Sequence, residues 1–339
     1  MGTGGLTKAD LGTSGLAITR VGFGAWAIGG GGWHFTWGAQ DDRDSVATIR
    51  ASLEAGINWI DTAAVYGNGH SEQVVARALR GVPDADRPFV FTKGGLVWDP
   101  ERPTARPRKL GDPANLRREL EASLARLEVE RVDLYQMHWP PDDGTPLAAY
   151  WETLLDLRRE GKVRAIGLSN HDVAQLEEAE TLGHVDTVQP PFSLLERAAA
   201  EELLPWCVAH DTGVIVYSPM ASGLLTGTFS AERVAALDPD DWRASDPAFT
   251  GERLSSTLRL VEVMRGVAAR HDVEVPAVAV AWTLGFPGVT GAIVGARHPD
   301  QIAGWLPAAD LRLEADDLEH LAAAIGTTGV GTGPPLPAR

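Results

Sequence analysis

Four polar residues in the first half of the chain have side chains that together could protonate a carbonyl oxygen while the carbonyl carbon accepts hydride: Asp61, Tyr66, Lys93 and His138. A phenol with an ordinary pKa of about 10 needs a nearby cation to release its proton at neutral pH, and Lys93 could be that cation for Tyr66. A buried ammonium keeps its charge beside a carboxylate such as Asp61. His138 could then orient the substrate oxygen beside Tyr66. The combination favours an enzyme.

Three of the four residues directly follow short, mostly apolar runs, at residues 57–60, 89–92 and 132–137, and Tyr66 lies a few residues beyond Asp61. Short apolar runs separated by helical patterns are typical of parallel strands whose carboxyl ends face one common surface. In a barrel, catalytic residues gather at that surface. Each residue alone is also consistent with a structural role, such as an ion pair between Asp61 and Lys93. Only the four together favour catalysis.

The pattern along the chain predicts an α/β fold, a (β/α)8 TIM barrel with an N-terminal β-hairpin around residues 11–20 and long loops at the C-terminal face. We expect a single domain over residues 1–339, with a loosely ordered tail from about residue 326. Strands are predicted near Val21, Trp59, Phe89, Asp133, Ala165, Thr187, Val214 and Ala292. Helices are predicted over residues 42–55, 71–79, 113–127, 147–160, 173–182, 199–210, 254–271 and 299–306, with a further short helix ending near Leu284.

A series of different short sequence motifs extends in order along nearly the whole chain. They are residues 58–63 (NWIDTA), 66–67 (YG), 71–72 (SE), 91–93 (FTK), 133–139 (DLYQMHW), 161–170 (GKVRAIGLSN), 189–192 (QPPF), 217–219 (YSP), 223–227 (GLLTG) and 295–297 (GAR). With these motifs the chain resembles the aldo-keto reductases. Residues 240–243 (DDWR) and 246–249 (DPAF) make it similar to a bacterial subgroup related to inositol-operon and general-stress reductases.

The resemblance implies an NADPH-dependent reductase of aldehyde or ketone carbonyls, with NADH as the alternative cofactor. It implies that Asp61, Tyr66, Lys93 and His138 are catalytic. The residues that it implies for the cofactor are Ser169, Asn170 and Gln189 at the nicotinamide carboxamide, Tyr217 against the ring, Ser218, Pro219, Gly223 and Leu225 in a pyrophosphate loop, and Gly295, Arg297 and Gln301 at the adenosine end. Arg297 could pair with a ribose 2′-phosphate.

Four positions depart from the usual pattern of the family, one of them being Phe192 in place of a frequent tyrosine. Ser222 stands where many relatives have arginine, and Thr228 stands where many have lysine, so two cationic contacts are missing. Trp305 replaces a frequent asparagine after Gln301; it can stack on adenine but cannot replace the hydrogen bonds of an amide.

Aromatic residues are concentrated in the loops predicted at the barrel mouth. We expect Trp26, Trp33, Trp98 and Trp139 to contact the substrate, with His34, Phe35 and Trp37 nearby. This concentration favours an apolar or ring-shaped substrate, although several of these residues could instead pack the N-terminal loops. Aldehydes, ketones, quinones and sugar carbonyls all remain open, and the sequence assigns no oligomeric state.

The composition agrees with a cytoplasmic enzyme that acts on a small molecule. A formal net charge of −16 argues against nucleic acid or an anionic membrane as partner. The single Cys207 excludes an intramolecular disulfide, and residues 1–5 lack the features of a signal peptide. Residues 275–296 carry no charge, but Pro287 interrupts them, so a membrane span is not expected.

Three other functions are alternatives to carbonyl reduction. A nicotinamide-binding sensor or auxiliary protein with little turnover would keep the same residues. A Rossmann phosphate loop is suggested by residues 22–27 (GFGAWA), but residues 28–32 (IGGGG) could not continue as the helix that such a loop needs. A metal-dependent hydrolase would need a ligand cluster, and His34, His70 and His138 lack compact spacing, so we expect no metal.

Overall fold

The protein is described here by a computed structural model covering residues 5–238 and 241–337; Asp240 of the predicted motif and part of the N-terminal segment fall outside the described residues. Within these ranges, eight parallel strands close into a barrel in chain order. The strands are β1 (Val21–Gly24), β2 (Trp59–Asp61), β3 (Phe89–Gly94), β4 (Val132–Met137), β5 (Val163–Ser169), β6 (Thr187–Gln189), β7 (Gly213–Val216) and β8 (Val289–Gly295). The predicted (β/α)8 barrel and all its strands are confirmed.

Helices surround the barrel. They are α1 (Asp42–Glu54), α2 (His70–Leu79), α3 (Pro113–Leu127), α4 (Leu147–Arg159), α5 (Val173–Glu180), α6 (Leu203–Ala209), α7 (Ala231–Ala235), α8 (Gly251–Arg270), α9 (Val275–Leu284), α10 (Ile302–Trp305) and α11 (Ala315–Thr328). The nine predicted helices are present with shifted ends, while α7 and α11 were not predicted. The predicted tail begins inside α11, and Thr332 beyond that helix accepts a hydrogen bond from the Arg197 backbone. In the described part of the chain, no helix is long and apolar enough to cross a membrane.

An antiparallel hairpin covers the amino-terminal end of the barrel. Its strands are Lys8–Asp10 and Ala17–Thr19, so the hairpin predicted over residues 11–20 starts earlier, and residues 11–16 form its turn. Leu11, Leu16 and Ile18 of the hairpin pack against the interior side chains of the barrel. The interior side chains are Trp59, Phe91, Leu134, Ala165, Ile215 and Ile293, each from a different strand. The interior is therefore a packed core at this end, and a cavity can form only at the opposite end.

Two long connections cover the carboxyl ends of the strands: residues 25–41 between β1 and α1, and residues 217–250 between β7 and α8. They meet where the Trp26 and Trp242 rings stack, with centroids 5.9 Å apart. The Trp242 backbone amide also donates to the Thr36 carbonyl at 3.3 Å. These contacts confirm the long loops predicted at the C-terminal face and join the loops to each other across the barrel mouth.

Gly22 in β1 provides a test of the packing inside the amino-terminal end of the barrel. A Cβ at residue 22 would lie 2.1 Å from Cε2 of Trp59, whose ring is fully enclosed and whose Nε1 donates to Thr19 O at 2.8 Å. We expect Gly22→Ala to lower the free energy of unfolding by about 3 kcal/mol, measured by urea denaturation. Gly266→Ala in α8 is the matched control, because a Cβ there meets nothing within 4 Å; it should raise stability by about 0.5–1 kcal/mol. Equal midpoints for the two variants would contradict this packing.

Candidate active site

A cavity of about 700 Å³ opens at the carboxyl ends of the strands, a size within the range of roughly 300–1,000 Å³ that is usual for small-molecule sites. Asp61, Tyr66 and His138 line it, and Lys93 lies directly behind Asp61 and Tyr66. Asp61 and Lys93 belong to the neighbouring strands β2 and β3, and His138 follows β4. Adjacent parallel strands therefore bring the predicted residues together, as their positions at strand ends suggested.

The Lys93 ammonium is enclosed and has three acceptors. Nζ donates to Asp61 Oδ1 at 2.5 Å, to Thr62 O at 2.9 Å and to the Tyr66 hydroxyl at 3.5 Å. Lys93 is 1% exposed and Asp61 is 2% exposed, so the ion pair is shielded from water. Burial lowers the pKa of Lys93 and raises the pKa of Asp61, and the charge of each partner opposes the shift of the other. An ammonium has three N–H groups, and all three are used here.

His138 stands beside Tyr66 with its ring edge-on, the centroids being 5.7 Å apart. Burial and the Lys93 charge lower the pKa of His138 well below its ordinary value of 6.5, so the imidazole is neutral near pH 7. Its Nδ1 is enclosed and has no hydrogen-bond partner among the described residues. An enclosed N–H without an acceptor is costly, so this environment favours the tautomer with the proton on Nε2, the nitrogen left for the cavity.

The pKa of Tyr66 is raised, whereas the neighbouring Lys93 cation suggested that it would be lowered. Burial raises it well above the ordinary value of 10, and the Asp61 carboxylate raises it further. The phenol therefore stays protonated at neutral pH, which suits a group that donates a proton rather than one that accepts it.

The residues predicted at the nicotinamide end form one hydrogen-bonded chain. The Tyr217 hydroxyl donates to Asn170 Oδ1 at 2.7 Å, and Asn170 Nδ2 donates to Ser169 Oγ at 3.0 Å and to His138 O at 2.9 Å. Ser169 Oγ donates to Gln189 O at 2.9 Å, and Gln189 Nε2 donates to Asp61 Oδ2 at 3.1 Å. The cavity wall is thus continuous from Tyr217 to the buried ion pair.

The predicted residues of the loops after β7 and β8 line the same cavity, with one exception. The lining members are Ser218, Pro219, Gly223, Gly295, Arg297 and Gln301. Leu225 is not among them: its side chain is fully buried in the core, and its backbone amide donates to Met220 O at 3.1 Å. The Leu225 side chain thus lies outside the cavity wall and its amide is used within the loop, and its predicted contact with a cofactor stays a prediction.

Most N–H groups of the Arg297 guanidinium donate to the connection between β1 and α1. Its Nε donates to Gln40 Oε1 at 2.7 Å, and its Nη atoms donate to the carbonyls of Trp37 and Ala39. Gln301 Oε1 accepts from the Arg297 backbone amide at 2.7 Å. These bonds anchor residues 37–40 to the β8 end of the cavity.

Three of the four tryptophans predicted at the substrate end reach the cavity: Trp26, Trp33 and Trp139. Trp98 does not line it; its ring lies under the Arg126 guanidinium, 5.8 Å from centroid to Cζ. Trp98 therefore packs against α3 through Arg126, outside the cavity wall, and its predicted contact with the substrate stays a prediction. Leu96 from the β3–α3 connection lines the cavity instead.

This geometry, a partly buried tyrosine backed by an enclosed Asp–Lys pair at the mouth of a (β/α)8 barrel, agrees with a comparison of sequences. The sequence model of the Aldo/keto reductase family matches residues 20–325. The chain belongs to this family. The resemblance seen in the motifs is thereby confirmed, and the protein is an NAD(P)H-dependent oxidoreductase of carbonyl compounds.

Individual relatives agree over nearly the full length. The chain is 36% identical over 325 residues to a protein named NADH-specific methylglyoxal reductase from Escherichia coli (strain K12), covering 92% of this chain and 96% of that protein. It is similar to the solved glycerol dehydrogenase of Gluconobacter oxydans, with 35% identity, a TM-score of 0.86 and 98% and 99% of the two chains covered. An aldo/keto reductase from Klebsiella pneumoniae, solved in complex with NADP and acetate, is similar at 27% identity and a TM-score of 0.69, with 91% of each chain covered.

Several residues of this reductase that line the cavity were not assigned to it from the sequence. They are Arg233, Arg243, Glu274 and Asp300, among others. Arg243 belongs to the DDWR motif, so a signal existed, but the motif did not indicate where its side chain points. Among the described residues, no group of three or more His, Cys, Asp or Glu side chains is placed to hold a metal ion. His34 and His70 lie apart, against Thr104 and Asp42.

Behind Lys93, two glutamates hold strand β3 of the reductase in place. Glu72 is fully buried and accepts from Thr92 Oγ1 at 2.6 Å and from Arg126 Nε at 2.6 Å. Glu119 in α3 accepts from the Gly95 amide at 3.1 Å and from the Asn115 side-chain amide. Burial raises the pKa of Glu119 to about 7, against the opposing effect of these donors.

Glu119 should make stability depend on pH. Its pKa is about 7 in the folded protein against an ordinary value of 4.5, so the folded state holds the proton more tightly, and this contribution is lost as pH rises from about 4.5 through 7. We expect Glu119→Gln to be more stable than the native chain at pH 8, by up to about 3 kcal/mol, and to lose that advantage at pH 5. Guanidinium unfolding at both pH values measures this. A difference between the two proteins that is the same at pH 5 and pH 8 would contradict the shift.

Proposed function

We propose that this reductase converts aldehydes or ketones to alcohols with Tyr66 as general acid. One observation carries the proposal: the Tyr66 oxygen lies 3.5 Å from Lys93 Nζ, where it can accept from the ammonium. Because that contact uses a lone pair, the hydroxyl hydrogen is free to point into the cavity that Tyr66 lines. A carbonyl oxygen placed there would receive the hydrogen bond first and the proton afterwards.

The four residues then have separate tasks. When bound, the reduced nicotinamide supplies the hydride to the carbonyl carbon. Tyr66 transfers its proton to the oxygen as negative charge develops there, and the Lys93 ammonium stabilises the phenolate that remains. Asp61 keeps Lys93 charged despite its burial. Neutral His138 donates from Nε2 to the same oxygen and so fixes its position beside Tyr66.

The polar groups at the nicotinamide end fit a carboxamide. Asn170, Gln189 and the Ser169 hydroxyl offer both donors and acceptors in one wall of the cavity, and the Tyr217 ring stands beside them. An amide has the complementary pattern of one acceptor and two N–H donors. We propose NADPH as cofactor with NADH as alternative: one relative is named NADH-specific, and another is solved with NADP.

We propose a substrate with an apolar or ring-shaped body attached to the carbonyl. The wall facing Tyr66 and His138 is built from Trp26, Trp33, Trp139 and Leu96. Such a wall gains free energy from apolar surface and offers few hydrogen bonds to a polyhydroxy chain. Two relatives are named for methylglyoxal and glycerol, so a panel should include both small polar and aromatic substrates. The single Cys207 supports the cytoplasmic setting that we propose, since it suits a reducing compartment. The net charge of −16 supports the absence of a nucleic-acid partner.

Tyr66→Phe tests the role of the hydroxyl. We expect the variant to keep cofactor affinity, because the ring remains, and to lose at least about 100-fold in kcat for carbonyl reduction, because the proton donor is gone. The measurement is loss of reduced-nicotinamide absorbance with NADPH and with NADH, against aromatic aldehydes, diketones and aldoses. Tyr150→Phe, whose hydroxyl bonds His171 away from the cavity wall, is the control and should keep most activity.

Unchanged turnover in Tyr66→Phe would defeat the mechanism. Tight cofactor binding by the native protein with negligible turnover across the whole panel would instead favour the sensor or auxiliary function.

The raised pKa of Tyr66 predicts the pH dependence of the reaction. Reduction needs the protonated phenol, and its pKa lies well above 10, so kcat for reduction should stay level from about pH 6 to pH 9. Oxidation of the alcohol needs the phenolate and should accelerate with rising pH over the same interval. Rates in both directions at saturating substrate test this, and a reduction rate that falls with an apparent pKa near 7 would contradict it.

A further inference from the structure

We propose that Arg233 and Arg243 are the cationic ligands of the cofactor diphosphate. The inference rests on the proposed function in one respect, namely that a nicotinamide dinucleotide lies along the cavity. It adds two residues, from α7 and from the segment after it, to a subsite whose own loop carries no charge.

The middle of the cavity is the stretch that a diphosphate must occupy. Asn170 and Gln189 lie at the end of the cavity beside Asp61 and His138. Arg297 and Gln301 lie after β8. Between these two pairs the wall is formed by residues 218–228, the first part of the connection after β7. Its lining residues are Ser218, Pro219, Met220, Ser222, Gly223, Thr226 and Thr228, all of them uncharged. The diphosphate is the central part of a dinucleotide, so this loop faces its two negative charges.

The backbone of this loop offers fewer amides than its glycine content suggests. The amide of Ala221 donates to Ser218 O at 2.8 Å, and those of Gly223 and Leu225 donate to Met220 O at 3.0 and 3.1 Å. These three N–H groups are already used within the loop. Because a diphosphate is negatively charged and residues 218–228 carry no cation, a positive charge from elsewhere in the cavity wall would stabilise it there.

Arg233 supplies one. Its Nη1 donates to Thr228 O at 3.1 Å, and its Cζ lies 4.9 Å from the centroid of the Phe229 ring. Its side chain lines the cavity. These contacts occupy one of five N–H groups, and the others remain for phosphate oxygens.

Arg243 supplies the second. Its Nη1 donates to Ser222 O at 3.3 Å, and its Cζ lies 5.5 Å from the same Phe229 ring. Arg243 is 9% exposed and is held by the Asp241 carboxylate, with Nε at 2.9 Å from Oδ1 and Nη2 at 2.5 Å from Oδ2. The orientation of its fork is therefore fixed before any ligand binds. Both guanidinium groups contact Phe229 and both bond a backbone carbonyl of the uncharged loop.

Apart from Asp241, which pairs with Arg243 from behind the wall, the carboxylates to be considered are those that line the cavity. Glu274 and Asp300 line the cavity, and Glu274 lies against Gly304, where a Cβ would be 2.9 Å from Oε2. Gly304 is in α10, at the end of the cavity that holds Gln301. These carboxylates therefore do not neutralise the two arginines at the middle of the cavity.

The test is the affinity for ADP-ribose, which has the diphosphate and lacks the reacting nicotinamide, measured by isothermal calorimetry. We expect Arg233→Gln to weaken binding about 10-fold, the value of one charge-assisted hydrogen bond, and to flatten the dependence of Kd on salt. Arg259→Gln is the matched control: it removes one positive charge from α8, whose Arg259 pairs with Glu252 and does not line the cavity. It should leave Kd unchanged.

Arg243 needs a paired substitution, because removing it alone would leave Asp241 buried without its partner. The double variant Asp241→Asn with Arg243→Gln removes both charges, and thermal melting verifies that it folds. We expect its ADP-ribose affinity to fall about 10-fold or more. Adding Thr228→Lys to Arg233→Gln tests whether Arg233 has only a structural role. The lysine returns a positive charge at residue 228, whose carbonyl accepts from Arg233 in the native protein, and it should restore most of the lost affinity.

Folded variants that bind ADP-ribose within twofold of the native protein would overturn the proposal. So would a loss in Arg233→Gln that Thr228→Lys does not restore. Turnover of the native protein with the carbonyl panel is scored separately: absent turnover with arginine-dependent ADP-ribose binding defeats the proposed reduction and leaves this inference standing.

Discussion

The ion pair between Asp61 and Lys93 is the interaction on which the rest of the site depends. Removing an ammonium and a carboxylate from water is costly, and mutual attraction compensates only where the remaining hydrogen bonds are also satisfied. Here they are, since Lys93 also donates to Thr62 O and to Tyr66, and Asp61 also accepts from Gln189. Each of these partners is held in a fixed position by the pair, which places the Tyr66 oxygen at the cavity wall.

The contact between Gln189 and Asp61 has a consequence for how the two ends of the site work together. The chain from Tyr217 through Asn170 and Ser169 to Gln189 is hydrogen bonded before any ligand arrives. A carboxamide that bonds Gln189 must share or replace the bond to Asp61 Oδ2. A carboxamide bound as proposed therefore changes the environment of the ion pair, and through Lys93 that of Tyr66. The catalytic end is thus linked by hydrogen bonds to the binding end.

The barrel, its strands and the gathering of Asp61, Lys93 and His138 at one end were predictable because each rests on local sequence. A short apolar run forms a strand, and the strand places the residue at its end at the barrel mouth, independently of the conformation of the loops. Helix α11 was within reach too, since Leu318, Leu321 and Ile325 follow helical spacing. The positions of Trp98 and Leu225 outside the cavity wall were not predictable in this way. Whether a loop side chain points to the cavity or away from it depends on packing against distant segments, and no local pattern reports that.

The same limit explains why the arginines were not assigned. Arg243 is positioned by Asp241 on one side and by the Trp37 ring on the other, its Cζ being 4.4 Å from that centroid. Trp37 in turn is held through its carbonyl by Arg297, more than 250 residues further along the chain. The three loops after β1, β7 and β8 thus fix one another, while Asp61 and Lys93 are placed by strands β2 and β3. The two sets meet at Tyr66, whose ring centroid lies 6.2 Å from those of Trp26 and Trp33 in the loop after β1. Variation in that loop can therefore alter both what the cavity binds and the surroundings of the Tyr66 hydroxyl.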